Sequence, residues 1–185
     1  MLDDRSYMRE PDWRPEVAQG GVSWCLKLII INIVFFVLQQ REGFEDNLVL
    51  YHDQLAQGKV WQLLTFQFLH GGLLHLLINC AMIWFIGRQI EESLGRLRFL
   101  SLYLVAGVFG GLIQCSLAWT NIDPALDPLG RAIGVVGASA GIFGLMGAFA
   151  MMYWDRELTL LIMFILPVRM KAKFILIALA VIGIL

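Results

Sequence analysis

The apolar residues of this chain are gathered into blocks, and each block is bounded by polar or charged residues. A helix needs about 20 mainly apolar residues to cross a bilayer. Four blocks cover residues 22–38, 73–86, 99–119 and 132–154, and a fifth starts at residue 174 and is still apolar at residue 185. A shorter apolar stretch, residues 158–166, is too short to span and stops at a proline. The pattern predicts an all-α fold, a polytopic membrane helix bundle with about five spans.

Composition agrees with a membrane protein and excludes several other classes. Hydrophobic residues make up 58% of the 185 residues, above the roughly 45–50% of soluble domains, and the mean hydropathy is +0.70. The net charge of −1 lacks the positive field that nucleic-acid binding requires. The three cysteines lie in apolar blocks without a CxxC pair, so a disulfide framework or a metal site is not expected. We therefore expect no metal and no nucleic-acid partner.

The distribution of charge predicts the orientation of the chain. The first 20 residues carry both signs of charge rather than the basic start of a cleaved signal peptide, so the first block is interpreted as a retained anchor. With the amino terminus inside, Arg41, Lys59 and Arg131 lie outside and the other 11 of the 14 lysines and arginines lie inside. This bias follows the positive-inside rule. The sequence therefore predicts a cytosolic tail, residues 1–20, and one transmembrane domain, residues 21–185.

Polar side chains at the head of the second block are candidates for function, because polar groups inside spans are costly. His75 and Asn79 are four residues apart and would share one face of a helix, and His70 lies five residues upstream of His75. By the predicted orientation, this end of the span is the outer one. Arg88 and Glu91, at the other end, are by position alone ordinary interfacial charges.

A glycine-rich stretch opens the fourth block with the pattern Gly137-x-Ser139-x-Gly141. The pattern also marks a nucleophile elbow, but an elbow needs a strand before the serine, whereas here a glycine-rich loop enters a membrane helix. A helix over residues 137–153 would be roughly 25 Å long, which places Ser139 below the outer surface of the membrane. The free N–H groups and dipole at a helix amino end favour a developing oxyanion. Ser139 is therefore a candidate nucleophile, and His75 and Asn79 could complete an oxyanion hole.

Plainer interpretations of these residues stay open at this point. A continuous helix from residue 132 competes with a loop that dips into the protein. Small residues such as Gly137 and Gly141 also suit close helix packing, and a membrane histidine such as His75 often serves as an interhelical hydrogen-bonding group. A serine nucleophile needs a base, and the three histidines of the chain are His52, His70 and His75.

Four short motifs occur in order along the chain: Trp61-x8-His70, His70-x4-His75-x3-Asn79, Glu91-x3-Gly95 and Gly137-Ala138-Ser139-Ala140. Together they resemble the motifs of rhomboid intramembrane serine proteases, over roughly residues 20–185. Each motif is weak by itself, but their combination, order and spacing are specific. The resemblance implies a rhomboid-like bundle of six spans, of which about five are present here.

The resemblance also implies roles for individual residues. Ser139 would be the nucleophile, and the His75 and Asn79 side chains would form an oxyanion hole with the backbone at Ser139, while His70 would be structural. The implied substrates are single-span membrane proteins cleaved at small residues in helices that unwind readily, with no cofactor or metal, most plausibly in a bacterial inner membrane. The remaining motif residues are Trp61, Glu91, Gly95 and Gly137.

Two departures from the rhomboid pattern stand out. The family usually has arginine after the first-loop tryptophan, whereas Gln62 follows Trp61 here, so the anchoring of that loop is expected to differ. The family's general base is a histidine in a sixth span, within an Ala-His-x2-Gly stretch, and no histidine follows His75 in this chain.

Two explanations of the second departure compete. The chain is a fragment of an active protease whose base lies beyond Leu185, or it is a pseudoprotease that binds transmembrane clients without cutting them. The last apolar block, 12 residues long, is shorter than a span, and Ser139, His75 and Asn79 are all retained. We therefore expect a fragment, incomplete at its carboxyl end, and predict that these 185 residues alone do not hydrolyse peptides. A channel or transporter is disfavoured, because only the second block carries a cluster of ionisable groups.

Overall fold

The computed structural model describes residues 21–119, 134–155, 157–162 and 166–171, together with Phe174 and Ile177. The predicted cytosolic tail, residues 1–20, and all but those two residues of the fifth apolar block lie outside the described residues.

Seven α-helices and one β-hairpin make up the described part of the chain. A 3-10 helix, Phe66–Phe68, follows the helix Gln62–Thr65, and a π-helical turn, Ile83–Gly87, joins the helices Leu73–Met82 and Arg88–Leu94. The hairpin pairs its two strands antiparallel, from Glu157 opposite Lys171 to Ile162 opposite Leu166. The elements in chain order are α1 Trp24–Leu38, α2 His52–Ala56, α3 Gln62–Thr65, α4 Leu73–Met82, α5 Arg88–Leu94, α6 Arg96–Trp119, α7 Ser139–Met152, β1 Glu157–Ile162 and β2 Leu166–Lys171.

Four of the predicted blocks correspond to helical segments. Two of these segments, Leu73–Leu94 and Arg96–Ala118, are long and apolar enough to cross a membrane, and Trp24–Leu38 and Ser139–Met152 are apolar but shorter. The second segment continues past its predicted end through charged residues to Leu94, where Gly95 leaves the helical conformation with φ +84°. The helical bundle is confirmed, and the antiparallel pair of strands β1 and β2 is an addition that the hydropathy pattern did not predict.

Glu91 connects α5 to the first turn of α1 through hydrogen bonds. Its carboxylate accepts hydrogen bonds from Ser23 Oγ (2.7 Å), Trp24 N (2.8 Å) and Cys25 N (2.9 Å). The first N–H groups of a helix have no partner within the helix, and a negative charge there complements the helix dipole. Glu91 is only 4% exposed. Its interpretation as an interfacial charge is therefore wrong.

Arg88, in contrast, is exposed, and its interpretation as an interfacial charge stays a prediction. Its exposed guanidinium pairs with exposed Glu92 one turn along α5, with 3.0 Å between Nε and Oε1. Arg88 also lies over the ring of Trp84, 5.6 Å from the ring centroid. An exposed pair of this kind contributes little to stability.

Small residues bring α6 and α7 into close contact. A Cβ atom on Gly141 would lie 2.8 Å from the Tyr103 ring, and one on Gly144 would overlap the side chain of Ala106. Close backbone approach of this kind is how membrane helices associate without a hydrophobic driving force. The packing interpretation thus holds for these two glycines of α7.

Gly144→Ala is expected to lower the free energy of unfolding by about 1–3 kcal/mol, because the added methyl group forces α6 and α7 apart. The matched control is Gly147→Ala, one turn further along α7, where a Cβ atom would meet no heavy atom within 4 Å. Alanine at that position is expected to be neutral or to stabilise by up to about 1 kcal/mol through helix propensity. Equilibrium unfolding in detergent micelles measures both changes. Equal effects of the two substitutions would contradict the packing contact.

Candidate active site

Ser139 is the first residue of α7, and the five residues before it form an irregular segment, residues 134–138, which we call the approach segment. Gly137 has φ +129°, a conformation that residues with side chains rarely adopt. The alternative of a continuous helix from residue 132 is therefore excluded, because α7 begins at Ser139. Ser139 therefore lies at the start of a helix, which is the position that makes it a candidate nucleophile.

The approach segment is docked on the chain between α1 and α4, residues 39–72, which we call the first loop. Leu50 and Val135 exchange two backbone hydrogen bonds, of 3.2 Å and 2.9 Å between N and O, as in an antiparallel bridge. Gly137 N donates a third bond to Phe66 O, at 2.9 Å. Three main-chain bonds to the first loop thus determine the path of the chain just before Ser139.

His75 lies directly beside this turn. A Cβ atom on Gly137 would be 2.9 Å from His75 Cε1 and 3.5 Å from Ser139 Oγ, so that the imidazole ring and the serine hydroxyl flank the same glycine. Asn79 lies one turn further along α4, 4% exposed, and its Nδ2 donates to His75 O at 2.8 Å. The structure therefore brings Ser139 and His75 to one place, with Asn79 on the adjoining turn of the same helix.

His70 supports the His75 ring from behind. The two imidazole rings meet edge to face, with centroids 5.2 Å apart and an interplanar angle of 67°. His70 is 2% exposed, and neither ring nitrogen has a hydrogen-bond partner among the described residues. Burial and, to a smaller extent, the neighbouring His75 ring lower the pKa of His70 to about 4, so this ring, which precedes the span, is neutral at pH 7.

The other motif residues lie apart from Ser139. Trp61 is 48% exposed in the first loop, where its indole Nε1 donates to Asn47 O at 2.9 Å. Glu91 holds the start of α1, and Gly95 provides the turn from α5 to α6 at the opposite end of the same segment. A Cβ atom on Gly95 would meet nothing within 4 Å, so its positive φ rather than lack of space requires glycine. These three residues shape the scaffold around the candidate site.

Gln62 anchors the first loop in the place where the family pattern has arginine. Its side chain is fully buried, its Oε1 accepts from Tyr51 N at 3.3 Å, and its Nε2 donates to Gln54 Oε1 at 2.8 Å. Lys59 Nζ reaches the same Gln54 oxygen at 3.0 Å. The loop is therefore held by a network of the Gln62 and Gln54 amides and the Lys59 ammonium group, close to Leu50, which pairs with the approach segment. The sequence marked Gln62 only as a departure, since nothing local showed that it is buried.

The arrangement suits chemistry on a carbonyl group. A hydroxyl at a helix start lies among backbone N–H groups that have no partner within the helix, and the neighbouring imidazole offers a further donor. Within the part of the chain that the structure describes, no group of three or more histidine, cysteine, aspartate or glutamate residues could hold a metal ion.

A family model described as the rhomboid domain matches residues 57–185, which is more than half of the chain. The chain belongs to the rhomboid family. Rhomboid proteins are embedded in membranes, in agreement with the two apolar helices long enough to span. The resemblance inferred from the four motifs is confirmed.

Several curated rhomboid proteins are similar to this chain. It is 34% identical over 136 residues to "Rhomboid protease GluP" of Bacillus subtilis, covering 70% of this chain and 24% of that protein. It is 32% identical over 138 residues to "Putative rhomboid protease YdcA" of the same organism, covering 74% and 64% respectively. A third relative, "Inactive RHOMBOID-like protein 8" of Arabidopsis thaliana, is 32% identical over 90 residues, covering 49% and 22%. The chain spans about half or less of the length of most curated relatives that it matches.

Proposed function

We propose that this rhomboid protein is an intramembrane serine protease that cleaves transmembrane segments of other membrane proteins. The observation that carries the proposal is the meeting of Ser139, at the start of α7, with the His75 ring across Gly137. Two relatives with protease names support the same reaction class.

In this proposal each polar group has a defined task. Ser139 Oγ attacks the carbonyl carbon of the scissile peptide bond, and the His75 and Asn79 side chains, with the backbone N–H at Ser139, stabilise the oxyanion that forms. His70 keeps the His75 ring in place by edge-to-face contact. We assign the general base, which must take the serine proton, to a histidine beyond the 185 residues.

The substrates in this proposal are single-span membrane proteins with small residues at the cleavage site, in helices that unwind readily. The enzyme lies in the lipid bilayer with its amino terminus in the cytosol, an orientation that rests on the excess of lysine and arginine on that side. A bacterial inner membrane stays a prediction, since relatives come from Bacillus subtilis and from Arabidopsis thaliana.

Fluorophosphonate labelling and cleavage of a quenched single-span peptide test the proposal on the full-length protein. Ser139→Ala is expected to abolish both signals, because the nucleophile is removed. The matched control is Ser116→Ala on α6, whose exposed hydroxyl donates to Leu112 O of its own helix, and it is expected to keep full activity. The 185-residue chain by itself is expected to show no turnover. Cleavage that survives in Ser139→Ala would overturn the assignment.

A non-catalytic membrane binding protein is the second candidate, and the similarity to an inactive rhomboid-like protein favours it. In that case the reading frame beyond Leu185 lacks a membrane-embedded histidine. The full-length protein would then bind the single-span peptide with equal affinity before and after Ser139→Ala, without cutting it.

A further inference from the structure

We propose that Gln39, at the end of α1, is a positioning residue that holds the His70 backbone and thereby keeps the His75 ring beside Ser139. The inference deepens the protease proposal and rests on it. It names a residue that none of the four motifs contains.

The contact joins two elements far apart in the chain. Gln39 Oε1 accepts from His70 N at 2.8 Å, and Gln39 Nε2 donates to His70 O at 3.2 Å. One side-chain amide therefore pairs with both main-chain groups of a single residue, as a neighbouring β-strand would. Two bonds to one residue determine both its distance from α1 and its orientation.

The His70 backbone has few other ways to be satisfied. It lies between the 3-10 helix and α4, where Leu69 is extended and Gly72 has φ and ψ of 168°. Buried main-chain groups outside regular structure need partners from side chains, other backbone groups or ordered water. Gln39 supplies these partners, while its own N–H closes the last turn of α1 on Phe35 O at 2.8 Å.

Neighbouring contacts support the same junction. The ring of Phe35, one turn before Gln39, packs on the ring of Phe68 with centroids 5.4 Å apart. The Gln39 amide also donates to Glu45 Oε2 at 3.2 Å. The end of α1 therefore contacts the first loop at Phe68 and at Glu45 as well as at His70.

The contact between Gln39 and His70 influences the candidate site through the imidazole rings of His70 and His75. The His70 ring contacts the His75 ring, and the His75 ring lies against Gly137 and close to Ser139. A shift of the His70 backbone moves the surface on which His75 rests. Displacement of a catalytic donor by about 1 Å can cost up to about 100-fold in rate.

Gln39→Met in the full-length protein tests the proposal, with Gln40→Met as the matched control. The Gln40 amide is exposed and bonds to Phe36 O of its own helix. We expect Gln39→Met to lower kcat on the quenched single-span peptide by about 10- to 100-fold with KM changed less than about threefold, and Gln40→Met to leave both unchanged. Equal losses in the two variants, or a change in KM alone, would overturn the proposal.

Gln39→Glu gives a second readout that a general loss of stability would not produce. A carboxylate still accepts from His70 N but repels His70 O and Glu45, whereas the protonated acid can again donate to His70 O. The activity of Gln39→Glu relative to wild type is therefore expected to rise as the pH falls from 8 to 5. Glu45 and His70, the residues that Gln39 contacts, are the same in both proteins, so a pH-independent ratio would contradict the two-point contact.

Hydrogen exchange separates this proposal from the protease proposal. The amide proton of His70 is expected to exchange faster in Gln39→Met and at the wild-type rate in Gln40→Met, whether or not the protein cleaves peptides. Unchanged exchange over residues 69–72 would refute the role of Gln39 alone. A wild-type protein without Ser139-dependent cleavage would refute the protease function, while the exchange rates would still decide whether Gln39 holds His70.

Discussion

Gly137→Ala is expected to lower Ser139-dependent cleavage by the full-length protein by at least about 100-fold, the loss typical of an oxyanion-hole donor. Gly137 has φ +129°, where an alanine is strained, and the added Cβ atom would lie 2.9 Å from His75 Cε1. The imidazole and the approach segment cannot both keep their places. The initial rate of cleavage of the quenched single-span peptide measures the effect.

Gly58→Ala is the matched control for Gly137→Ala, because it separates backbone strain from contact with the site. Gly58 also has a positive φ, +96°, but a Cβ atom there would meet nothing within 4 Å. We expect this variant to lose some stability and to keep its cleavage rate when folded. Retention of more than a tenth of the wild-type rate in Gly137→Ala, or a comparable loss in Gly58→Ala, would show that the His75 contact is unimportant.

Glu91→Ala is expected to lower the free energy of unfolding by about 3–5 kcal/mol, because it leaves three donors at the start of α1, one of them buried, without their charged partner. Three bonds to the first turn of α1 disappear together, including those from Trp24 N and Cys25 N. Water cannot readily replace the carboxylate, since Glu91 is buried. Equilibrium unfolding in mixed detergent micelles measures the change.

The adjacent residue provides the control for this substitution. Glu92 is exposed and pairs with Arg88 across one helical turn, an interaction of about 0.3–0.5 kcal/mol. Glu92→Ala is therefore expected to change the free energy of unfolding by less than about 0.5 kcal/mol. Similar destabilisation by the two substitutions would show that Glu91 does not hold α1.

Hydropathy was enough to predict the helical blocks, because a bilayer selects for long apolar runs whatever their neighbours. It did not predict where the fourth helix begins, since a glycine-rich apolar stretch is compatible with both a loop and a helix. The positive φ of Gly137 and the bridge between Leu50 and Val135 decided that question. It also failed for β1 and β2, because short apolar runs are ambiguous between strand and helix.

Charge and polarity along the chain predicted the roles of individual residues less well than hydropathy predicted the helices. Position alone makes Glu91 and Arg88 both interfacial charges, yet Glu91 is buried against the start of α1 and Arg88 is exposed. Gln62 and Gln39 carry no local signal of burial or pairing, although each holds main-chain groups of the first loop. The role of a polar residue therefore depends on what packs against it in the folded structure.

By itself the sequence determined that this protein is a membrane helix bundle of the rhomboid family, and it placed His75 and Asn79 on one helix face. These properties depend on residue type and spacing within single segments, which hydropathy and helical periodicity reveal. Only the tertiary structure decided that His75 lies against Gly137, that Glu91 holds α1, and that Gln39 pairs with His70. Each of these contacts joins residues that are more than 30 positions apart, and such pairs meet only through the way the helices dock.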